Sequence, residues 1–226
     1  MMRKRQFIIT EDGSHTLFLP ELNETYHSVH GAIQESNHEF VDQGLKYLLD
    51  ESKPAKIEVF EVGFGTGLNA LLSILFAKRH GISMVYSSIE PFPLSHDEVR
   101  KLNYTNILKD AAAAELFTRI HDAEWDANRS IAPAMELIKI KDTIQNFRFK
   151  NEMGICFFDA FAPSRQPEMW EFDILSKIYG ALRRGGVFVT YCAMGQLKRD
   201  LKSIGFEVQC LPGPPGKKEM IRGIKV

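Results

Sequence analysis

Between Val59 and Asn69 the chain reads VFEVGFGTGLN, and this stretch restricts the possible folds more than any other. An apolar, β-branched run through Ile57, Val59, Phe60 and Val62 has the composition of a buried strand. Glycines at alternate positions, Gly63, Gly65 and Gly67, then form a turn that opens a helix from about Leu68. Lacking Cβ atoms, their backbone can approach a ligand closely and take positive φ where required. The spacing narrows the ligand further. A dinucleotide-binding turn, G-x-G-x-x-G, needs a glycine at position 68, where Leu68 stands.

G-x-G-x-G with an acid two residues earlier, here Glu61, resembles the cofactor loop of class I S-adenosylmethionine (SAM) methyltransferases. The chemistry agrees with that resemblance. SAM has no pyrophosphate to rest on a helix N-terminus; it carries an ammonium and a sulfonium, to which Glu61 offers a carboxylate. The alternative is a structural turn in some other α/β fold.

A chain of 226 residues suffices for one α/β domain with a full core, with residues 1–54 as a small hairpin-and-helix extension and 55–226 as the methyltransferase domain. No apolar run reaches the ~18 residues of a membrane span. The start, MMRKRQFIITEDGS, lacks an apolar signal core, so a cytoplasmic location is expected. Cys156, Cys192 and Cys210 each lie far apart in apolar, strand-like runs, as buried free thiols do. Net charge is −1, but from Lys177 onward ten basic residues face only Asp200, Glu207 and Glu219, which makes that segment +7 and the remainder −8. Such a segment can hold phosphates; charge alone favours solvated helix faces slightly.

QFIITEDGSHTLFL reads as a hairpin around Asp12-Gly13. A polar segment leads to a helix near 40–50, and Pro54 closes the linker. Strands are then expected at about 57–62, 84–89, 136–141, 154–159, 186–192, 205–210 and 219–225, and helices near 68–80, 94–102, 110–116, 142–148, 168–183 and 195–203. Gly185-Gly186 is expected to end the helix before the fifth strand. This alternation implies a parallel sheet covered by helices on both faces. The last two strands, split by PGPPG, resemble the reversed final hairpin of class I methyltransferases.

Ligands of open α/β sheets sit beyond the carboxyl ends of the strands, which selects the residues to weigh. Glu90 ends the second strand about twenty residues past the glycine turn, where an acid bonds ribose hydroxyls; otherwise it is a solvent-facing acid before Pro91. Asp142 follows ELIKIK, where methyltransferases place an adenine-contacting acid, and equally suits a helix N-cap. Asp159 ends the fourth strand, GICFF, and Phe161 and Pro163 follow it at once. A carboxylate there can accept the N–H hydrogens of an amine, aim its lone pair and take up the released proton. An aromatic ring can stack on a base and exclude water. Met169 and Trp170, after a Pro167 suited to a helix start, read as core.

Four blocks carry a closer resemblance. DAFAPSRQPEMW, EVGFGTGLNALL, IEPFPLS and the closing GPPGKKEMIRGI resemble the methyltransferase domain of the MnmC family. NETYHSVHGAIQES resembles the standalone form of that family, often called MnmD. The similarity runs from about Gly13 to the C-terminus and implies a class I, Rossmann-like α/β fold. That fold has a seven-stranded, mostly parallel sheet with a reversed last strand, beside the small N-terminal β-hairpin extension. It implies SAM as cofactor, and conversion of the 5-aminomethyl group of wobble (2-thio)uridine in tRNA to 5-methylaminomethyl. In that comparison Asp159 matches the catalytic aspartate, and Glu61, Gly63, Gly65, Gly67, Asn69, Glu90 and Asp142 match cofactor positions. Tyr26, His27 and Ser28 match a segment near the cofactor. Phe161 and Pro163 are expected to face the substrate base, and Lys217 and Lys218 to contact phosphates of the anticodon stem-loop.

Bifunctional members add an FAD-dependent oxidase, for which 226 residues leave no room, so methylation alone is expected, by a monomer or weak homo-oligomer. His15, His27, His30 and His38 fit no zinc spacing, and no metal is expected. The competing expectation is SAM-dependent N-methylation of a small-molecule or protein amine, using the same cofactor residues. A binding module without turnover is disfavoured by the intact acids at 61, 90 and 159.

Overall fold

The computed structural model describes residues 4–226. Strands β1 (Gln6–Ile9) and β2 (His15–Leu19) pair antiparallel around the expected Asp12-Gly13 turn, and the short β3 (Glu24–Thr25) adds to β2. Asp12 closes that turn by accepting from the Ser14 backbone N–H (2.9 Å) and the Thr10 hydroxyl (2.8 Å). A continuous helical run follows: α1 (Ala32–Ser36), a π-helical stretch Asn37–Lys46, and α2 (Tyr47–Ser52). It begins some eight residues before the expected helix. The cause is compositional: Glu35 and Glu39 make the segment look polar, yet both are buried.

The main sheet is built from β4 (Lys56–Val62), β5 (Ser83–Ile89), β6 (Asn128–Ala132), β7 (Met135–Ile140), β8 (Met153–Phe158), β9 (Leu182–Thr190), β10 (Phe206–Pro212) and β11 (Glu219–Lys225). Between them lie α3 (Leu68–His80), α4 (His96–Val99), α5 (Tyr104–Leu108), α6 (Ala113–Asp122), α7 (Phe172–Ala181) and α8 (Gly195–Ile204). The strand order is β10-β11-β9-β8-β4-β5-β7-β6. Strands β7, β5, β4, β8 and β9 run parallel, while β11 lies antiparallel between β9 and β10. The expected reversed hairpin is therefore present. The sheet has eight strands rather than seven because β6 pairs antiparallel with β7 at the edge.

Alternation along the central strands builds two cores. Val59, Ile155 and Phe157 face α3, α6 and the helical run, where Phe40 meets Phe157 at 5.0 Å between ring centroids. Phe60, Cys156 and Phe158 face α7 and α8, against Ile174, Leu175, Leu197 and Leu201. All six residues of β8 are buried, as expected of a parallel strand covered on both faces. Helix α3 is buried from Leu68 to Ala77 and ends at Gly81 (φ 66°), with Lys78, Arg79 and His80 in its last turn complementing the helix dipole.

Three local expectations fail. No helix forms at 142–148; Asp142 instead closes a turn. Gly185 and Gly186 lie inside β9, the preceding helix having ended at Ala181. All three cysteines are free, but Cys210 is exposed on β10, which has only the antiparallel β11 beside it. Among the described residues no helix is long and apolar enough to cross a membrane, and no cluster of three or more His, Cys, Asp or Glu is placed to hold a metal.

Candidate active site

The chain turns one way across the sheet from β4 to β5 and the other way to β8, so a crevice opens where the carboxyl ends of these strands diverge. Backbone hydrogen bonds lock the loops that leave it: Asp159 N–H donates to the Val62 carbonyl (3.1 Å) and Gly63 N–H to the Ile89 carbonyl (3.0 Å). Gly63 (φ 94°) has no space for a side chain, since a Cβ there would lie 2.8 Å from the Asp159 carbonyl oxygen. Gly67 (φ 73°) is equally confined, its Cβ position 2.8 Å from His121 Nε2. The protein's own packing thus demands two of the three glycines.

A cleft of about 390 Å³ lies over this row of strand ends, a size suited to a small-molecule cofactor. Gly63, Phe64, Gly65 and Asn69 form one side, Glu90 and Asp142 a second, Asp159 and Phe161 a third, and Tyr26 and His27 reach in from the N-terminal segment. Glu90 accepts from Gly65 N–H (3.2 Å) and Phe92 N–H (2.8 Å), which ties the glycine turn to the end of β5. Asp142 accepts from Thr143 N–H (2.7 Å) and Asn146 Nδ2 (3.2 Å) and also lines the cleft.

Asp159 stands at the end of β8 with its Oδ2 accepting from Asn69 Nδ2 at 2.9 Å. Burial pushes its carboxyl up to about 7; the charge of Glu35 adds to this, while Lys217 and the Asn69 hydrogen bond oppose it. A carboxylate in that range can take a proton and release it near neutral pH. Beside it, the Phe161 ring meets Tyr26 edge-on at 5.3 Å, and the Phe161 carbonyl accepts from Trp170 Nε1 at 2.8 Å. Arg5 straps the hairpin over the cleft by donating to the Tyr26 hydroxyl (2.9 Å), the Phe92 carbonyl (2.7 Å) and Glu98 (3.2 Å).

Six expected site residues lie outside the cleft lining. Glu61 is fully buried, accepts from the Ser88 hydroxyl (2.7 Å), and has its carboxyl pushed up to about 8 by burial. That burial favours the protonated acid, and the side chain is absent from the cleft lining. Gly67 packs on His121 instead of the cleft. Ser28 folds its own loop, donating its N–H to Glu35 Oε2 (2.7 Å) and accepting from His30 N–H (3.2 Å). Pro163 follows Phe161 away from the lining, and Lys218 is exposed on its loop. Lys217 turns inward and pairs with Glu35 (2.6 Å) and Glu39 (3.2 Å), so it is not placed for a phosphate. Met169, expected in the core, lines the cleft, whereas Trp170 is buried as expected. Sequence reasoning passed over Glu35 and Glu39. Their spacing of four, flanked by Ala32, Ile33, Phe40 and Val41, was the available signal for two acids on an inward face.

The residues present fit SAM. Carboxylates at the ends of neighbouring strands β5 and β7 can accept from sugar hydroxyls and a base amine, Ile89 and Ile144 give an apolar flank, and Gly63 and Gly65 put no side chain of their own into the wall they form.

Comparison with known proteins agrees. A family described as S-adenosyl-L-methionine-dependent methyltransferase matches residues 105–226. The tRNA 5-methylaminomethyl-2-thiouridine biosynthesis bifunctional protein MnmC of Pseudoalteromonas atlantica is 34% identical over 190 residues, 76% of this chain and 26% of that protein. The protein of that name from Burkholderia multivorans is 28% identical, over 94% of this chain and 34% of its own length. The chain therefore spans about a quarter to a third of these relatives. In structure it is similar to MNMC2 from Aquifex aeolicus, with a TM-score of 0.79 and 24% identity over 98% of this chain and 70% of that one. With the matched family covering more than half of its residues, the chain belongs to the S-adenosyl-L-methionine-dependent methyltransferases.

Proposed function

We propose that this protein methylates the primary amine of 5-aminomethyl-(2-thio)uridine at the wobble position of tRNA, giving the 5-methylaminomethyl product. Gly63, Gly65, Glu90 and Asp142 would hold the cofactor along the strand ends, with Tyr26 over the mouth of the cleft. When bound, SAM supplies an electrophilic methyl carbon on a sulfonium. The protein's task is to present a neutral nitrogen to it. Asp159, oriented by Asn69, accepts a proton from the substrate ammonium and holds the freed amine by its remaining N–H groups. Phe161 and Tyr26, crossed edge to face, give a base one aromatic wall and keep water from the amine.

The observation that carries this reading is the Asp159–Asn69 pair at the cleft wall, with a carboxyl poised near neutrality. The names of the MnmC relatives support the choice of acceptor. The test is incubation with labelled SAM and tRNA from cells lacking the modification, followed by nucleoside analysis. Label in 5-methylaminomethyl nucleosides is the expected result. Label absent from tRNA but present on a free or protein-bound amine would replace this acceptor with another.

A further inference from the structure

The loop joining β10 to β11 carries Lys217 into the protein, and its seat is built rather than incidental. Gly216 (φ 84°) lies so close to His30 that a Cβ would fall 2.1 Å from the ring. The Pro212 carbonyl meets His38 Nε2 at 2.8 Å, and Lys217 N–H donates to the Pro214 carbonyl at 2.9 Å. So held, the Lys217 ammonium lies 2.6 Å from Glu35 Oε1, 3.2 Å from Glu39 Oε1 and 4.0 Å from the centroid of the Tyr191 ring. The Tyr191 hydroxyl donates to the carbonyl of Ala160 at 2.9 Å, one residue from Asp159.

These contacts bring one cation to a region crowded with acids. Asp159 feels the charges of Glu35 and Lys217, and its own charge acts in turn on Glu39, Glu61, Tyr86 and Tyr191. Among these groups Asn69 supplies a hydrogen bond and Lys217 the only positive charge acting on Asp159. Burial raises the Glu39 carboxyl, and the Lys217 ammonium that both acids share opposes that rise. Without that ammonium only the Asn69 hydrogen bond would oppose the effect of the Glu35 charge on Asp159.

We propose that Lys217 is a positioning residue for the reaction: clamped between Glu35 and Glu39, it keeps Asp159 as the carboxylate that can receive a proton from the substrate ammonium. In that step an Asp159 O–H bond forms as the substrate N–H breaks, the nitrogen keeps its electron pair, and the proton passes to solvent when the product leaves. The proposal rests on amine methylation as the reaction, and its test separates the two.

Three variants decide it: Lys217→Met, Lys217→Arg and Glu35→Gln. One readout is the pH dependence of kcat/KM for methyl transfer. The other needs no acceptor: 13C NMR titration of the aspartate carboxyls, with Asp159 assigned by the resonance missing in Asp159→Asn. In Lys217→Met the acid limb and the Asp159 midpoint should both rise by about one pH unit, with kcat/KM at pH 7 about fivefold lower. Lys217→Arg should restore both, and Glu35→Gln should move both downward. A purely structural lysine would lower activity equally at every pH, and an unmoved midpoint in Lys217→Met overturns the proposal. Should that variant lose its far-UV dichroism, Glu35→Gln decides alone, a midpoint that stays or rises being the refutation. Should the wild type leave tRNA unmethylated, the proposed function falls while the NMR titration still judges Lys217.

Discussion

Replacing Asp159 with asparagine should produce a more stable protein with little activity, and the two effects have one origin. The side chain keeps its shape, and its oxygen can still accept from Asn69 Nδ2. What disappears is an ionisable group held against its solvation. The Asp159 carboxyl is raised from 3.8 to about 7, so the folded state binds a proton more tightly than the unfolded chain. Stability therefore falls as pH rises between those values, and the loss is complete above the upper one. About 3 pH units at ~1.4 kcal/mol each sets a ceiling of ~4 kcal/mol. Because the group borders an open cleft, solvent screening reduces this to about 1–2 kcal/mol. For a chain of this length that is a rise in Tm of roughly 2–8 °C above pH 7, shrinking to nothing near pH 4. Urea or thermal unfolding at pH 4, 5, 6, 7 and 8 measures it, and methyl transfer by the same preparation should drop by about 10²-fold or more. A variant less stable than the wild type at pH 8, or one whose gain ignores pH, would show that Asp159 is not held against its hydration. Unchanged turnover would remove it from the chemistry.

Other perturbations probe the surrounding architecture. Gly63→Ala places a Cβ against the Asp159 carbonyl at a φ of 94°, so stability should fall by about 1–3 kcal/mol and SAM binding should weaken, as denaturant unfolding and calorimetry would record. His27 is buried and held down to about 4, below its usual 6.5, chiefly by desolvation. It contributes stability that is present above pH 6.5 and is lost as pH falls toward 4; in His27→Gln the unfolding free energy should decline less steeply over that window. If tRNA is the acceptor, kcat/KM should fall steeply with salt: three neutralised phosphates give about 40-fold between roughly 50 and 200 mM, and a flat profile points to a small-molecule amine.

The parts of this fold that were legible in the sequence are those where one local signal dominates. Residues 57–62 and 84–89 read as strands because their apolar content is dense, and β4 and β5 extend them by a single residue. The Asp12-Gly13 hairpin was equally plain, since its turn chemistry is local. Strand β6 escaped because Asn128, Arg129 and Ser130 are exposed at a sheet edge, where no apolar pattern is needed. Asp159 was identified from its place at a strand end, a matter of topology. Glu61 shows the limit of the same reasoning: residue type suggested a counter-charge, but packing buries the carboxyl against Ser88, outside the cleft lining. Lys217 was misread for a similar reason. A lysine in a Pro-Gly loop looks like surface, and the acids it meets lie 178 residues away in the case of Glu39.

That separation has a consequence for how the enzyme comes into being. A ribosome adding about 5–20 residues per second completes the Glu39 segment roughly 10–35 s before it makes Lys217. During that interval Glu35 and Glu39 lack the cation that they pair with in the finished fold, so burying both as charged groups is costly until Lys217 is made. Competence for methyl transfer should therefore arrive abruptly, when the final hairpin docks, and not grow in step with chain elongation.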